Sequence, residues 1–356
     1  MRKFRVIILI SIITSLAFSC SKDKKEVEPI SCTYLGKNYK VNYSQSLQDE
    51  HNSDLTLDEK GLLTSANTTY ISISTDPQTN IEFNRSTNQR KYAFTYDGQG
   101  FLKQMIATKS FIVKTTGGYY EGNSGPFKNA SKITVETTDF TYESDHVASS
   151  TLKNVTTFIG DQQSPVETTV ISKRVYQYDS NGKTITSTET SEGGSTSVTT
   201  YANGVRASNV FTSTKGDKQT INYNDKGLAI KYIFSVGGFN LGYDTNGNLT
   251  SVESIVDNKA IFKQEFKYDN HPNPDNLIPL KFKGIPDPIP TIQSTDGVNN
   301  LVEEKTTNFQ NNNLVSVNKF SYQYNAAGYP ESLTSMPDPN PDKLSWTTNY
   351  RYQNCK

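Results

Sequence analysis

The chain has 356 residues and carries 36 basic and 36 acidic side chains, so its formal charge is zero. Leu, Ile, Val and Phe make up only about 22% of it, whereas it contains 21 Tyr, 17 Phe and 110 Ser, Thr or Asn residues. This composition excludes a helical bundle, a parallel α/β sheet of aliphatic strands and a polytopic membrane protein. The zero charge and the many aromatic residues argue against disorder.

The first nineteen residues have the form of a secretory signal peptide. A basic start is followed by an apolar run over residues 6–18, too short to cross a bilayer, which needs about 20 residues. The ending at residues 16–20 resembles a bacterial lipobox, in which the Cys becomes the lipidated first residue of the mature chain. We therefore predict a signal peptide over residues 1–19, lipidation of Cys20 and a flexible tether over residues 20–31. Ordinary signal cleavage is the alternative.

These features predict a lipoprotein of the bacterial outer membrane, tethered by its lipid and not spanning the bilayer, and facing either the surface or the periplasm. Ser21 follows the Cys in place of the Asp that often retains lipoproteins in the inner membrane. Residues 21–26 resemble the charged tracts of surface-exported lipoproteins in Bacteroidetes. No basic block follows the tether, which argues against a nucleic-acid partner. Partners other than the membrane are a glycan, a peptide or an outer-membrane protein; the oligomeric state stays open.

Two cysteines flank the region that is expected to fold. Cys32 stands at its start and Cys355 at the penultimate position of the chain. Because the envelope is oxidising, we predict a disulfide between them, with two unpaired thiols as the alternative. Such a bond requires Cα atoms within about 7 Å, so the two ends of the fold would meet, as in a barrel or a ring.

One short pattern recurs along the chain. It consists of an aromatic residue, any residue, Tyr, Asp or Asn, two further residues, Gly and an aliphatic residue. The clear copies have their Tyr, Asp or Asn, and Gly at Tyr96, Asp97 and Gly100; Tyr178, Asp179 and Gly182; Tyr223, Asn224 and Gly227; Tyr243, Asp244 and Gly247; and Tyr324, Asn325 and Gly328. Weaker copies occur at residues 55–63, 140–147, 199–205, 266–273 and 350–352.

The chemistry of this unit indicates a β-hairpin. Alternating aromatic and polar residues form a strand with one apolar face, Asp or Asn opens a turn, and Gly supplies the positive φ that completes it. We therefore predict one all-β domain over residues 32–356. It is a long antiparallel meander of hairpins, roughly 16–22 strands by chain length, curled or closed into a large water-soluble barrel-like sheet. The alternatives are an open spiral and two stacked sheets.

The repeat resembles the Tyr-Asp repeats of rearrangement-hot-spot shells. Together with the lipobox, residues 268–274, residues 322–330 and the closing residues 350–355, it resembles an uncharacterised family of Bacteroidetes lipoproteins. That family is a domain of unknown function described as having a porin-like fold. The resemblance covers most of the mature chain and is best after about residue 176. It implies a fold, and it supplies no activity and no catalytic residues.

A Pro-rich region interrupts the meander. Six of the 14 Pro residues lie between residues 272 and 290, and Pro removes the hydrogen-bond donors that a central strand needs. We predict an irregular connection over residues 269–300 that packs as a plug over one end of the barrel, with a role in ligand binding as the alternative.

The chain carries little recognisable chemistry. It has three His residues and no nucleophile elbow, Cys–His pair or phosphate loop, so we predict no catalytic, metal or cofactor site and leave enzyme status open, leaning against. Trp346, the only Trp, is a candidate ligand contact. We predict a non-catalytic binding or structural module of the cell envelope. The alternatives are a glycan hydrolase with paired carboxylates and an accessory subunit of an outer-membrane complex.

Overall fold

The computed structural model describes residues 32–355 except 45–46, 76–81, 116–119, 123–124, 128, 161–163, 287–296, 311–313 and 337–345. The signal peptide, Cys20 and the tether lie outside these residues. The described chain forms 22 β-strands and one 3-10 turn, Pro274–Leu277. The strands are β1 Thr33–Ser44, β2 Leu47–Leu57, β3 Leu63–Thr75, β4 Glu82–Tyr96, β5 Leu102–Thr115, β6 Tyr120–Gly122, β7 Gly125–Phe127, β8 Asn129–Glu143, β9 His146–Gly160, β10 Val166–Tyr178, β11 Thr184–Ser191, β12 Thr196–Ala202, β13 Val205–Thr212, β14 Lys218–Tyr223, β15 Ala229–Phe234, β16 Gly237–Tyr243, β17 Leu249–Val256, β18 Lys259–Pro272, β19 Asn299–Asn308, β20 Leu314–Tyr324, β21 Pro330–Met336 and β22 Thr347–Gln353.

Twenty of these strands form one closed antiparallel sheet. Each strand pairs with the next one along the chain, with β6 and β7 set aside as a separate small hairpin between β5 and β8. β22 pairs with β1 and closes the ring. The predicted all-β barrel of hairpins is therefore confirmed, and the open spiral and the two stacked sheets are wrong. A barrel of this many strands is too wide for its wall residues to fill, so it encloses a lumen.

The wall alternates between lumen-facing and outward-facing residues, as the period of a β-strand requires. On β4 the even-numbered residues face the lumen, since Phe94 and Tyr96 contact the ring of Phe282, which lies inside the barrel mouth. Residues that pair directly across strands share a face, so the registers carry this assignment around the ring. Outward positions bear cross-strand ion pairs, such as Lys40 with Glu50 at 3.0 Å.

The ends of the Pro-rich connection lie a few residues inside the predicted stretch. The irregular segment was expected to begin at Asp269 and to reach about residue 300. Instead β18 continues to Pro272 and β19 begins at Asn299, and these two residues pair with each other. Pro272 is tolerated because it ends its strand, where no further ladder donor is needed.

The described part of this connection, residues 273–286, crosses the mouth of the barrel. It leaves β18 and reaches β9, where Val147 N–H donates to the carbonyl of Gly284 at 3.0 Å. β9 lies nine strands from β18 in one direction around the ring and eleven in the other, so the two are almost opposite. We call residues 273–286 the crossing segment.

The hydrophobic core lies at this end of the barrel. Ile278 and Phe282 of the crossing segment are both 7% exposed and pack against lumen-facing residues of β1 to β5. The buried wall residues of this cluster are Tyr34, Leu55, Leu63, Ala66, Tyr92, Phe94, Leu102, Met105 and Ala107. Burial of these apolar side chains, worth about 25 cal/mol per Å², holds the segment in the mouth.

The seam between β1 and β22 joins the two ends of the fold. The sulfur atoms of Cys32 and Cys355 lie 2.10 Å apart, in a disulfide that links positions 323 residues apart in sequence. Gly36 of β1 pairs with β22 in this seam and adopts φ +133°. A Cβ atom at this position would lie 2.0 Å from the carbonyl oxygen of Ser53 on β2, so only Gly permits the close approach of the β1 and β2 backbones.

Candidate functional site

The repeated turns share one hydrogen-bond pattern. In the turn that follows β4, the Asp97 Oδ1 atom accepts from the backbone N–H groups of Gln99 and Phe101 at 2.9 and 3.0 Å. Gly100 N–H donates to the Asp97 carbonyl, and Gly100 adopts φ +86°. The same bonds recur where Asp58, Asp179, Asn224 and Asn325 open a turn. The Asp and Gly of the repeat therefore act on the backbone of their own turn.

Tyr side chains at or near the strand ends link several of the turns to a neighbouring hairpin. Tyr96 ends β4, and its hydroxyl donates to the carbonyl of Leu63, the first residue of β3, at 2.8 Å. Six other hydroxyls reach equivalent carbonyls at 2.6 to 3.0 Å: Tyr142 to Leu102, Tyr178 to Val147, Tyr243 to Ala229, Tyr268 to Leu249, Tyr322 to Leu301 and Tyr352 to Pro330. These tyrosines form a hydrogen-bonded girdle at one rim, which we call the Tyr end.

The structure places the other predicted turn residues at the same rim. Tyr223 and Tyr324 end β14 and β20, and Tyr178 and Tyr243 end β10 and β16. The glycines at positions 100, 182, 227, 247 and 328 all have φ between +75° and +98°. Tyr324 donates to the Asp269 carboxylate and stacks on His271, with ring centroids 3.9 Å apart. These residues build the rim and do not converge on a single site.

A cavity of about 480 Å³ opens into the lumen below the Tyr end. Its lining comes mainly from the contiguous arc of strands from β18 through β22 to β1. Seven aromatic side chains face it: Tyr39, Phe266, Tyr268, Phe320, Tyr322, Trp346 and Tyr350. Amide side chains of Asn273, Asn299 and Asn300 complete one side. We call this the aromatic cavity.

Trp346 lies in the wall of the aromatic cavity, immediately before β22. Its side chain is half-buried, and its ring meets that of Phe320 edge-on, with centroids 6.3 Å apart and planes at 68°. The carbonyl of Trp346 accepts from Ser335 N–H at 3.0 Å, which fixes the backbone beside β21. Trp346 therefore faces the aromatic cavity, and its contact with a ligand stays a prediction.

A second cavity of about 410 Å³ adjoins the first along β1 to β4. Its lining is more polar and includes Lys37, Tyr39, His51, Asn88 and Arg90. We call it the polar cavity. The two cavities share Lys37, Tyr39 and Asp275 in their linings.

An ion pair stands between the two cavities. Asp275 belongs to the crossing segment, where Asn273 caps the 3-10 turn by accepting from Asp275 N–H and Pro274 supplies a preset φ. Its carboxylate, only 4% exposed, meets Lys37 Nζ of β1 at 3.0 Å. A charge so buried needs such a partner, because an unpaired carboxylate in this position would be strongly destabilising.

Burial also sets the protonation of the groups around this pair. Burial, with the Lys37 charge second, lowers the pKa of His51 to about 4, so its imidazole is neutral at pH 7. The ring lies flat on Tyr39, with centroids 4.8 Å apart. Burial, followed by the charge of Asp275, raises the pKa of Tyr34. The walls of the polar cavity therefore hold neutral rings and few fixed charges.

The cavities do not assemble the groups that catalysis or metal binding would use. In the described lining of each, Asp275 is the single carboxylate, and Lys37 already engages it. A glycan hydrolase needs two carboxylates about 5–10 Å apart across its substrate, so the hydrolase alternative finds no support in either cavity. Within the part of the chain that the structure describes, no group of three or more His, Cys, Asp or Glu side chains converges.

Sequence reasoning missed most of the cavity lining. Tyr39, Phe266 and Tyr350 belong to strands far apart in sequence, and only the closure of the ring brings them together. The Lys37–Asp275 pair joins residues 238 positions apart. The one local signal was alternation, because Phe266, Tyr268 and the pair Phe320, Tyr322 stand on one face of their strands.

Two solved structures with a similar arrangement are both described as porin-like proteins. One, from Bacteroides uniformis, shows 12% identity and a TM-score of 0.33, and the match covers 73% of this chain and 99% of that one. The other, from Bacteroides vulgatus, shows 10% identity and a TM-score of 0.31, covering 90% of this chain and 99% of that one. No family model and no curated protein matches the chain. Similarity at this level says nothing about function, which must be inferred from the geometry of the chain itself.

No helix in the described part of the chain is long and apolar enough to cross a membrane.

Proposed function

We propose that this chain is a non-catalytic lipoprotein of the outer cell envelope whose barrel binds an oligosaccharide in the aromatic cavity. The observation that carries the proposal is the lining of that cavity. Seven aromatic rings face a space of about 480 Å³, while the amides of Asn273, Asn299 and Asn300 bond within the protein and fix the wall on that side. Sugar rings present C–H faces that pack on aromatic side chains.

Ligand binding can be measured through the fluorescence of the protein's own Trp residue. Trp346 is the only Trp of the chain and lies in the cavity wall, so ligand binding changes its fluorescence. We expect an oligosaccharide to shift Trp346 emission in a saturable manner. Phe266→Leu, which removes a ring from the lining, should weaken binding by about tenfold, the equivalent of roughly 1.4 kcal/mol.

Phe262→Leu is the matched control. Phe262 lies on the same strand and the same face as Phe266, four residues away and outside the cavity lining. The Phe262→Leu variant should therefore bind the oligosaccharide with unchanged affinity. Equal weakening by both variants would mean that the effect is general loosening of the barrel. If an extended peptide binds saturably and saccharides do not, the ligand is a peptide and the proposed oligosaccharide is wrong.

The outer face of the barrel supports tethering outside the bilayer. Lys263, Glu265 and Lys267 occupy successive outward positions in the middle of β18, and Lys305 and Glu303 of β19 pair with them at 2.8 to 3.3 Å. A membrane-spanning barrel needs a continuous apolar band about 25 Å tall on this face. The arc formed by β18 and β19 carries charges where such a band would run.

Lipid anchoring through Cys20 is the remaining part of the proposal, and it rests on the signal sequence. Cys20→Ser should abolish incorporation of labelled fatty acid and release the protein from the membrane fraction. The unchanged chain should stay with the outer membrane and be extracted by detergent alone. Membrane association that survives Cys20→Ser would contradict a single lipid anchor.

A further inference from the structure

The two cavities meet along one row of lumen-facing residues. Arg90 on β4 pairs with Thr68 on β3, and Thr68 in turn pairs with Ser53 on β2. The Ser53 hydroxyl accepts from the backbone N–H of Lys37 on β1 at 3.0 Å. Adjacent strands lie about 4.8 Å apart, so the row runs from the edge of the aromatic cavity across roughly 14 Å of the polar cavity.

This row carries more positive than negative charge. Lys109 extends it on β5, directly opposite Arg90. Lys109 pairs with Glu136 at 2.6 Å, and Lys37 pairs with Asp275 at 3.0 Å. Arg90 has no carboxylate partner within the described part of the chain, and its guanidinium is exposed to the lumen beside Asn88. Arg90 hydrogen-bonds to the neutral hydroxyl of Tyr92, so its charge is not compensated and leaves one net cation in the lining.

The acids nearby do not cancel this charge. Asp49, on the lumen face of β2, is 6% exposed, accepts the Tyr70 hydroxyl and does not line either cavity. His51 lines the polar cavity as a neutral ring. The lumen is therefore aromatic on the side of β18 to β22 and carries the cation of Arg90 in the polar cavity on the side of β1 to β4.

We propose that the polar cavity is a subsite for the anionic group of an acidic oligosaccharide, with Arg90 as the residue that binds it. This inference rests on the proposed function and names the ligand class. Guanidinium groups bind carboxylate and sulfate through two parallel N–H bonds. Thr68, Ser53 and Asn88 supply hydroxyl and amide partners around the same space for the neighbouring sugar hydroxyls.

The test compares an oligogalacturonide with its methyl ester, in which each carboxylate charge is replaced by a small neutral ester, by titration of Trp346 fluorescence. The acid should bind about three- to tenfold more tightly at low salt, as a solvent-accessible charge pair allows. The advantage should vanish near 1 M salt, where the Debye length is about 3 Å. A sulfated oligosaccharide is the second arm and shows which anion the subsite prefers.

Arg90→Gln should remove the preference for the acid, so that the acid and the ester bind this variant with similar affinity. Lys91→Gln is the matched control, because Lys91 is the next residue of β4 and faces outward, so it should keep the preference. Thermal unfolding would show that both variants are folded. Equal affinity for acid and ester in the unchanged protein would overturn this inference and leave the proposed function standing. Absence of binding by every saccharide would overturn the proposed function and this inference with it.

Discussion

Tyrosine hydroxyls determine how one hairpin is held to the next. In three of the five clear copies, at Tyr96, Tyr178 and Tyr243, the hydroxyl bonds to a backbone carbonyl of an adjacent hairpin, so it adds a tie that the strand ladder does not supply. Tyr142→Phe removes one such bond, to Leu102, and leaves that carbonyl with one partner fewer. We expect a loss of about 0.5–1.5 kcal/mol in the free energy of unfolding by urea.

Tyr350→Phe is the control for this substitution. Tyr350 is also lumen-facing and largely buried, but within the described residues its hydroxyl has no hydrogen-bond partner. It should therefore change stability much less. A loss as large for Tyr350→Phe as for Tyr142→Phe would show that the girdle bonds contribute nothing.

The same burial predicts how stability depends on alkaline pH. Burial, with the charge of Asp58 second, raises the pKa of Tyr96 to about 12, and burial is also the largest cause of raised pKa values at Tyr142, Tyr322 and Tyr352. An unfolded Tyr has a pKa near 10, so between these values the unfolded chain binds fewer protons than the folded one. Stability is then fully present below pH 10 and falls as the pH rises towards 12.

Urea midpoints on either side of pH 10, together with the ultraviolet absorbance of tyrosinate, check this expectation. Most tyrosinate absorbance should appear in one step with unfolding. Gradual ionisation of the folded barrel near pH 10 would show that the rim tyrosines are accessible to solvent. The Tyr96→Phe variant should lose stability less steeply over the same range.

At the scale of the element, the turn is the unit that the sequence specifies most completely. Gly100 adopts φ +86°, and a Cβ atom there would meet nothing within 4 Å. Gly100→Ala would therefore cost only backbone strain, about 1–2 kcal/mol. Gly98 stands in the same turn with equally open space and without a positive φ, so Gly98→Ala should be close to neutral. Differential scanning calorimetry of the two variants gives the comparison, and equal melting temperatures would contradict the role of φ.

The elements also show what the sequence could and could not specify. The turn chemistry of Asp97 and Gly100 is local, so the hairpins and their order in an antiparallel meander were predictable from pattern alone. Closure of the sheet was not, since an open spiral and two stacked sheets remained as alternatives. The exact ends of the Pro-rich connection were not predictable either. Pro272 can be the last residue of β18, because a Pro interrupts a strand only where its missing N–H would be needed for a further hydrogen bond of the ladder. The carbonyl that each Tyr hydroxyl reaches was not predictable either, since it depends on the register of a neighbouring hairpin.

At the scale of the whole molecule, closure creates the candidate site. Tyr39 of β1 and Phe266 of β18 line one cavity because β22 pairs with β1. The crossing segment then divides the lumen by placing Asp275 against Lys37. Trp346 was identified from composition as the one Trp, but its neighbours in the cavity come from six strands besides β22 and from the crossing segment. A periodic sequence predicts its wall well, whereas the contents of its lumen depend on the number of strands and their order.

The Cys32–Cys355 bond fastens the seam on which that closure depends. The seam is also held by seven paired positions between β1 and β22, so the double variant Cys32→Ser/Cys355→Ser should still fold and close. Since a disulfide across so long a loop restricts the unfolded chain strongly, we expect the variant to lose about 2–5 kcal/mol of stability towards urea. Reductant should destabilise the unchanged protein by a similar amount and leave the double variant unaffected. An unchanged urea midpoint in the double variant would mean that the strand ladder alone holds the barrel shut.

Mass spectrometry without reduction should show Cys32 and Cys355 linked in protein secreted to the envelope, because the bond joins the two strands that close the ring. Two free thiols would contradict the bond.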